Sequence, residues 1–116
     1  MIYERRVNIV FGRKEKEFIE DVAYKFIPFL EKHGATFVGG IYQPISGAIT
    51  DEFYYIMGYD SLAHREKVYE DLNNDPEYQK LHDWWWAQEE EIIEHYYVEF
   101  LKVHEYPPPS KHENTR

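Results

Sequence analysis

The 116-residue chain has no cysteine, which excludes disulfides, thiol nucleophiles and thiolate metal sites together. It is short of positive charge: 13 Lys and Arg stand against 22 Asp and Glu, a formal net charge of -9. A surface that acidic repels phosphate backbones and anionic lipid, so neither nucleic acid nor a membrane is an expected partner. No apolar run nears membrane-spanning length, and "MIYERRVNIV" has no apolar core of a secretory leader. A soluble, cytoplasmic protein is the expectation. HExxH, multi-His spacings, phosphate loops and nucleophile motifs are all missing, so no metal and no cofactor is expected. Glu91 and His95 stand four apart and share a face if a helix runs that far, which is a weak metal signal on its own.

Aromatic residues are abundant: 11 Tyr, 7 Phe and 3 Trp. Rings carry large contact areas and favour cores, interfaces and ligand clefts. The length suits one domain with one core. Residues 2–11 alternate, with Tyr3, Val7, Ile9 and Phe11 on one face, interrupted by Arg5, and Glu4, Arg6 and Asn8 on the other. From Phe18 the period becomes helical through Val22, Phe26, Phe29 and His33, with Pro28 predicting a kink and Gly34 a stop. "ATFVGGIYQ" predicts a second strand, "PISGAITDE" a turn and "FYYIMGY" a third strand. A short helix follows from Ser61 to about Leu72, and Asp75–Pro76 starts another as N-cap and N1 residue. That helix is expected to run past Ile93 into a fourth strand, "HYYVEFLKV".

The order is β-α-β-β-α-β, an α+β ferredoxin-like plan with an antiparallel sheet and helices on one face. It predicts one domain over residues 1–103 and a Pro-rich polar tail over 104–116. The third strand is apolar on both sides, Phe53, Tyr55, Met57 and Tyr59 against Tyr54 and Ile56. One layer of helices covers one side only. A second copy, packed sheet to sheet about a two-fold axis, is the simplest second cover.

Four segments, "MIYERR", "FLEKHGATFVGG", "YDSLAHRE" and "DPEY", resemble in order and spacing the NIPSNAP family of small dimeric α+β-barrel proteins. The resemblance spans roughly residues 1–103. It implies a ferredoxin-like fold that dimerises through its sheets into a barrel. Related barrels include monooxygenases, haem-degrading enzymes, polyketide cyclases and lyases, so the fold leaves the chemistry open. Relatives usually carry an apolar residue where this chain has Arg5, and the Trp84–Trp86 run looks peculiar to this chain.

If the odd-numbered face of the first strand packs on the helices, Glu4, Arg6 and Asn8 point between the two sheets. There they would either anchor a small polar group or form a self-satisfied salt bridge. Tyr55, Met57 and Tyr59 would share that space, with Gly39 and Gly40 leaving room for a ligand or marking a bulge. Arg65 is expected to hold its helix to a nearby carboxylate or to touch a ligand. His64, His82 and His95 are candidate acid–base groups. Three consecutive Trp residues span about 200° of a helix, so at least one reaches a partner, a cleft mouth or solvent; Trp85 is the candidate ligand contact. Two functions fit: binding, with cofactor-free acid–base conversion by Glu4, Arg6, Tyr55, Tyr59 or His64, of a small apolar or aromatic metabolite; or a non-catalytic dimeric scaffold.

Overall fold

The computed structural model describes residues 1–47, 50–88 and 91–104. The tail beyond His104, together with Ala48, Ile49, Glu89 and Glu90, lies outside the described residues. The elements are β1 (Ile2–Val10), α1 (Glu15–Glu17), a π-helical stretch (Phe18–Ala23), α2 (Tyr24–Lys32), β2 (Thr36–Tyr42), β3 (Glu52–Tyr59), α3 (Leu62–Asn73), α4 (Pro76–Trp86) and β4 (Ile93–Leu101). The four strands form one antiparallel sheet in the order β2-β3-β1-β4. This is the α+β ferredoxin-like arrangement expected from the sequence, with its second helical segment broken into α3 and α4.

The breaks follow local chemistry. Gly34, with φ of 111°, takes the left-handed position that ends α2. The Ser61 hydroxyl accepts from the His64 N–H at 3.1 Å and starts α3. The Asp75 carboxylate accepts from the Glu77 N–H at 3.0 Å, with Pro76 at N1, and starts α4. Pro28 lies inside α2 without ending it, and the π-helical stretch Phe18–Ala23 runs directly into the start of that helix.

Two expectations require correction. The helix α4 ends at Trp86 and does not run past Ile93. The Phe11 N–H donates to the Ile92 carbonyl at 3.0 Å and Val10 pairs with Ile93. The end of β1 therefore draws this β-branched segment into the sheet, and Glu91 and His95 share no helical face.

The second correction concerns the faces of β1. Its even-numbered face, and not the odd one, packs on the helices. Glu4, Arg6 and Asn8 pair with Met57, Tyr55 and Phe53 of β3, and all of these lie on the helix-covered side together with Val10. Paired residues of an antiparallel sheet share a face. Phe18, Leu30, Met57, Tyr59 and Leu72 are the largest fully buried apolar side chains of the resulting core. The more apolar face of β1, with Tyr3, Val7 and Ile9, is turned away from the helices. Val7 is nonetheless fully buried, beneath its neighbours Tyr54 and Tyr97.

Candidate functional site

Two groups of side chains result from this assignment, one on each side of the sheet. Under α3, the fully buried Glu4 carboxylate lies between two guanidiniums. Arg6 Nη1 donates to Glu4 Oε1 at 3.0 Å and to the Tyr69 hydroxyl at 2.6 Å. Arg65 Nε donates to Glu4 Oε2. The Arg65 guanidinium also stacks over the Tyr69 ring at 4.5 Å and the Phe100 ring at 5.2 Å. Arg6 lies 5.4 Å over Phe26. The expectation that Arg65 ties its helix to a carboxylate is met, the carboxylate being Glu4.

Three phenols surround these charges. Burial raises the pKa of Tyr55, an effect that Arg6 opposes. Burial raises Tyr59, with Tyr69 and Glu4 adding to it. Burial raises Tyr69 as well, against the pull of Arg6. All three therefore stay protonated well above neutral pH. For Arg6, burial alone would lower the pKa, but Tyr55, Tyr69 and Glu4 outweigh it and the group is raised. The buried Tyr59 hydroxyl faces that of Tyr69.

The sequence-predicted site residues thus converge in part. Glu4, Arg6, Tyr55, Tyr59 and Arg65 meet in one cluster, but beneath the helices and not in a space between sheets. Met57 and Asn8 belong to the same covered face and are buried there. His64 is separate: its Nδ1 accepts from the Asp60 N–H at 2.9 Å, and its ring meets Tyr59 edge-on at 6.0 Å. Trp85 is also apart. Its indole N–H donates to the Asp21 carbonyl at 2.8 Å and its ring packs on Phe26 and Tyr78, one ring removed from Arg6. Trp84 and Trp86 are exposed, Trp84 carrying the Lys25 ammonium 4.8 Å over its ring. Tyr69 was missed by sequence reasoning. Its signal was the four-residue step from Arg65, which stacks the two on one helical face.

Among the described residues the opposite side of the sheet carries no helix. At its centre Arg5 is held between Glu52 at 3.4 Å and Glu99 at 3.2 Å, with its guanidinium 4.7 Å over the Tyr54 ring. Tyr54 stacks in turn on Tyr42 at 5.1 Å. The Tyr42 hydroxyl sits where a Cβ on Gly39 would be, 2.5 Å from it. Gly39 has a φ of 80° and the β2–β3 register shifts beyond Val38, so the two glycines mark a bulge that seats Tyr42. His95 and Tyr97 of β4 complete the row, their rings 6.2 Å apart. Arg5, first read as an interruption of an apolar face, is the focus of this surface.

Two clefts, of about 450 and 430 Å³, flank the π-helical stretch. Ile19, Ile41 and Phe53 help line the first; Glu17, Asp21, Trp84 and Ile92 help line the second. Neither contains a sequence-predicted site residue. Among the described residues no cluster of three or more His, Asp and Glu side chains is placed to hold a metal ion, and no helix is long and apolar enough to cross a membrane.

A family model described as NIPSNAP matches residues 3–107. The chain belongs to the NIPSNAP family. Solved structures agree on the fold. An uncharacterised NIPSNAP domain protein from Burkholderia xenovorans is 22% identical, with a TM-score of 0.75 over 93% of this chain and 99% of that one. A NIPSNAP family protein of unknown function from Agrobacterium tumefaciens is 21% identical, with a TM-score of 0.75 over 93% of this chain and 92% of that one. No curated protein matches. At these identities the likeness extends to the NIPSNAP fold and not to a ligand or a reaction.

Proposed function

We propose that this NIPSNAP protein is a homodimer in which two uncovered sheet faces close on each other, and that the space between them binds a small apolar or aromatic molecule. The observation that carries this reading is the Arg5 constellation: a guanidinium and two stacked tyrosines, Tyr54 and Tyr42, on a sheet face that the chain's own helices leave open. Such a face combines flat rings, which stack on an aromatic body, with a planar donor, which orients a carbonyl or phenolate oxygen. Burial in the dimer would strengthen that polar contact by excluding water.

The reading is one of binding. The residues considered for acid–base chemistry, Glu4, Arg6, Tyr55, Tyr59 and His64, lie on the far side of the sheet or at the start of α3, and none reaches the Arg5 face. The second reading, a dimer without a ligand, is favoured by one fact: Arg5 already has two carboxylate partners. Native mass spectrometry of the freshly purified protein separates the two. A dimer carrying an extra small mass that is lost in Arg5→Met supports binding. A bare dimer from several expression hosts, with Arg5→Met equally dimeric, supports the scaffold. A monomer removes both.

A further inference from the structure

On the helix-covered side, the cluster under α3 is short of one negative charge. Arg6 and Arg65 share the single carboxylate of Glu4. The three phenols around them cannot supply the missing charge, since burial keeps Tyr55, Tyr59 and Tyr69 protonated. Ionised groups withdrawn from water are ordinarily matched in charge and fully hydrogen-bonded. Here two guanidiniums share one carboxylate. Arg65 uses Nε for Glu4, and both of its Nη groups lack an acceptor among the described residues.

Arg65 lies at the open edge of this cluster. Its side chain is 24% exposed and its guanidinium faces Phe100 of β4. The helices do not extend over this edge strand. Phe100, Val98 and Tyr96, which alternate along the helix side of β4 opposite Glu4, Arg6 and Asn8, are 50, 37 and 64% exposed. They form an apolar strip roughly 13 Å long at 3.3 Å per residue. One end of the strip is Arg65 with an unfilled donor fork.

We propose that this strip and fork form a binding site for a small carboxylic acid, its carboxylate on Arg65 Nη and its apolar body along Phe100, Val98 and Tyr96. A carboxylate matches the planar guanidinium fork through two parallel hydrogen bonds, supplies the absent charge, and lets the rings cover the body. The site is independent of the Arg5 face and of dimerisation through it.

The test uses the full-length protein and 4-phenylbutyrate, with its neutral amide as control, in titration calorimetry and thermal shift. The carboxylate is expected to bind at least about tenfold more tightly than the amide, the worth of one charge-assisted contact. Arg65→Met should lose that preference, whereas Lys67→Met, which removes a charge from the exposed side of the same helix, should keep it. Glu4→Gln supplies the second readout: it removes the negative charge that both guanidiniums share, so the probe should raise its melting temperature more than that of the wild type. Equal binding of acid and amide overturns the proposal. So does unchanged preference in a folded Arg65→Met protein, or a destabilised Glu4→Gln protein that the probe fails to rescue. Absence of any binding because a second copy covers the strip, seen as hydrogen-exchange protection of β4 that dilution removes, overturns it as well.

Discussion

Replacing Glu4 by Leu removes the only carboxylate between Arg6 and Arg65 while leaving a side chain of similar reach. Breaking a buried ion pair by deleting one partner costs about 3–5 kcal/mol, because the survivor stays desolvated and unmatched. Here two guanidiniums survive, but their side chains are 16 and 24% exposed, so partial rehydration places the loss near the lower end, about 3 kcal/mol. At roughly 4 °C per kcal/mol for a domain of this size, the melting temperature should fall by about 12 °C. Urea unfolding and calorimetry at one fixed protein concentration measure both quantities, the concentration being held because dimerisation would contribute to stability. The triple variant Glu4→Leu, Arg6→Met, Arg65→Met is the decisive companion. With all three charges gone the core should recover to within about 1 kcal/mol of the wild type, or exceed it. A single variant that loses under about 1 kcal/mol would show that Glu4 is not paired as described. A triple variant no better than the single would show that packing, and not unmatched charge, sets the cost.

Three further outcomes follow from other groups. The Asp75 carboxylate caps α4 and accepts from Lys32 Nζ and His33 Nε2, each at 2.7 Å; the hydrogen bond from Lys32 and then that from His33 hold its pKa below the ordinary 3.8. A depressed pKa contributes stability above about pH 4 that disappears as pH falls further, so the stability gap between wild type and Asp75→Asn should shrink in acid unfolding below that pH. Tyr55, Tyr59, Tyr69 and Tyr78 have pKa values raised above 10.0, chiefly by burial. In a spectrophotometric titration they should ionise only as the protein unfolds in alkali, stability being lost as pH rises past 10; four extra phenolates appearing reversibly near pH 10 in folded protein would contradict their burial. Arg5→Glu places a like charge beside Glu52 and Glu99 and should dissociate the dimer without altering the far-ultraviolet circular dichroism of the subunit, read by sedimentation velocity.

The architecture was legible because its signals are local. Alternation marked the strands, the period from Phe18 to His33 marked the first helical segment, and Ser61, Asp75–Pro76 and Gly34 act as the caps and stop their chemistry suggests. The composition of the cluster was also legible: charged residues on an expected strand, tyrosines on another, and an arginine one turn into a helix. Its side of the sheet was not. Alternation states which residues share a face but not which face is covered, and the apolar count of β1 pointed the wrong way. Tyr3, Val7 and Ile9 outnumber the apolar residues of the covered face, while Glu4 is made tolerable inside by two arginines 59 residues from one another. No local pattern reveals such a pairing. The end of α4 was misplaced for a similar reason: the pull of β1 on Ile92 and Ile93 is a tertiary contact that the helix-compatible run "WWWAQEEE" conceals.

The central claim is that the Arg5 face is closed by a second copy. Multi-angle light scattering across a dilution series, run on the wild type beside Tyr54→Glu, tests it most directly. The account predicts twice the 14.1 kDa chain mass for the wild type and a shift to single chains in the variant. A wild-type mass of one chain at every concentration, or a Tyr54→Glu dimer as stable as the wild type, would contradict it.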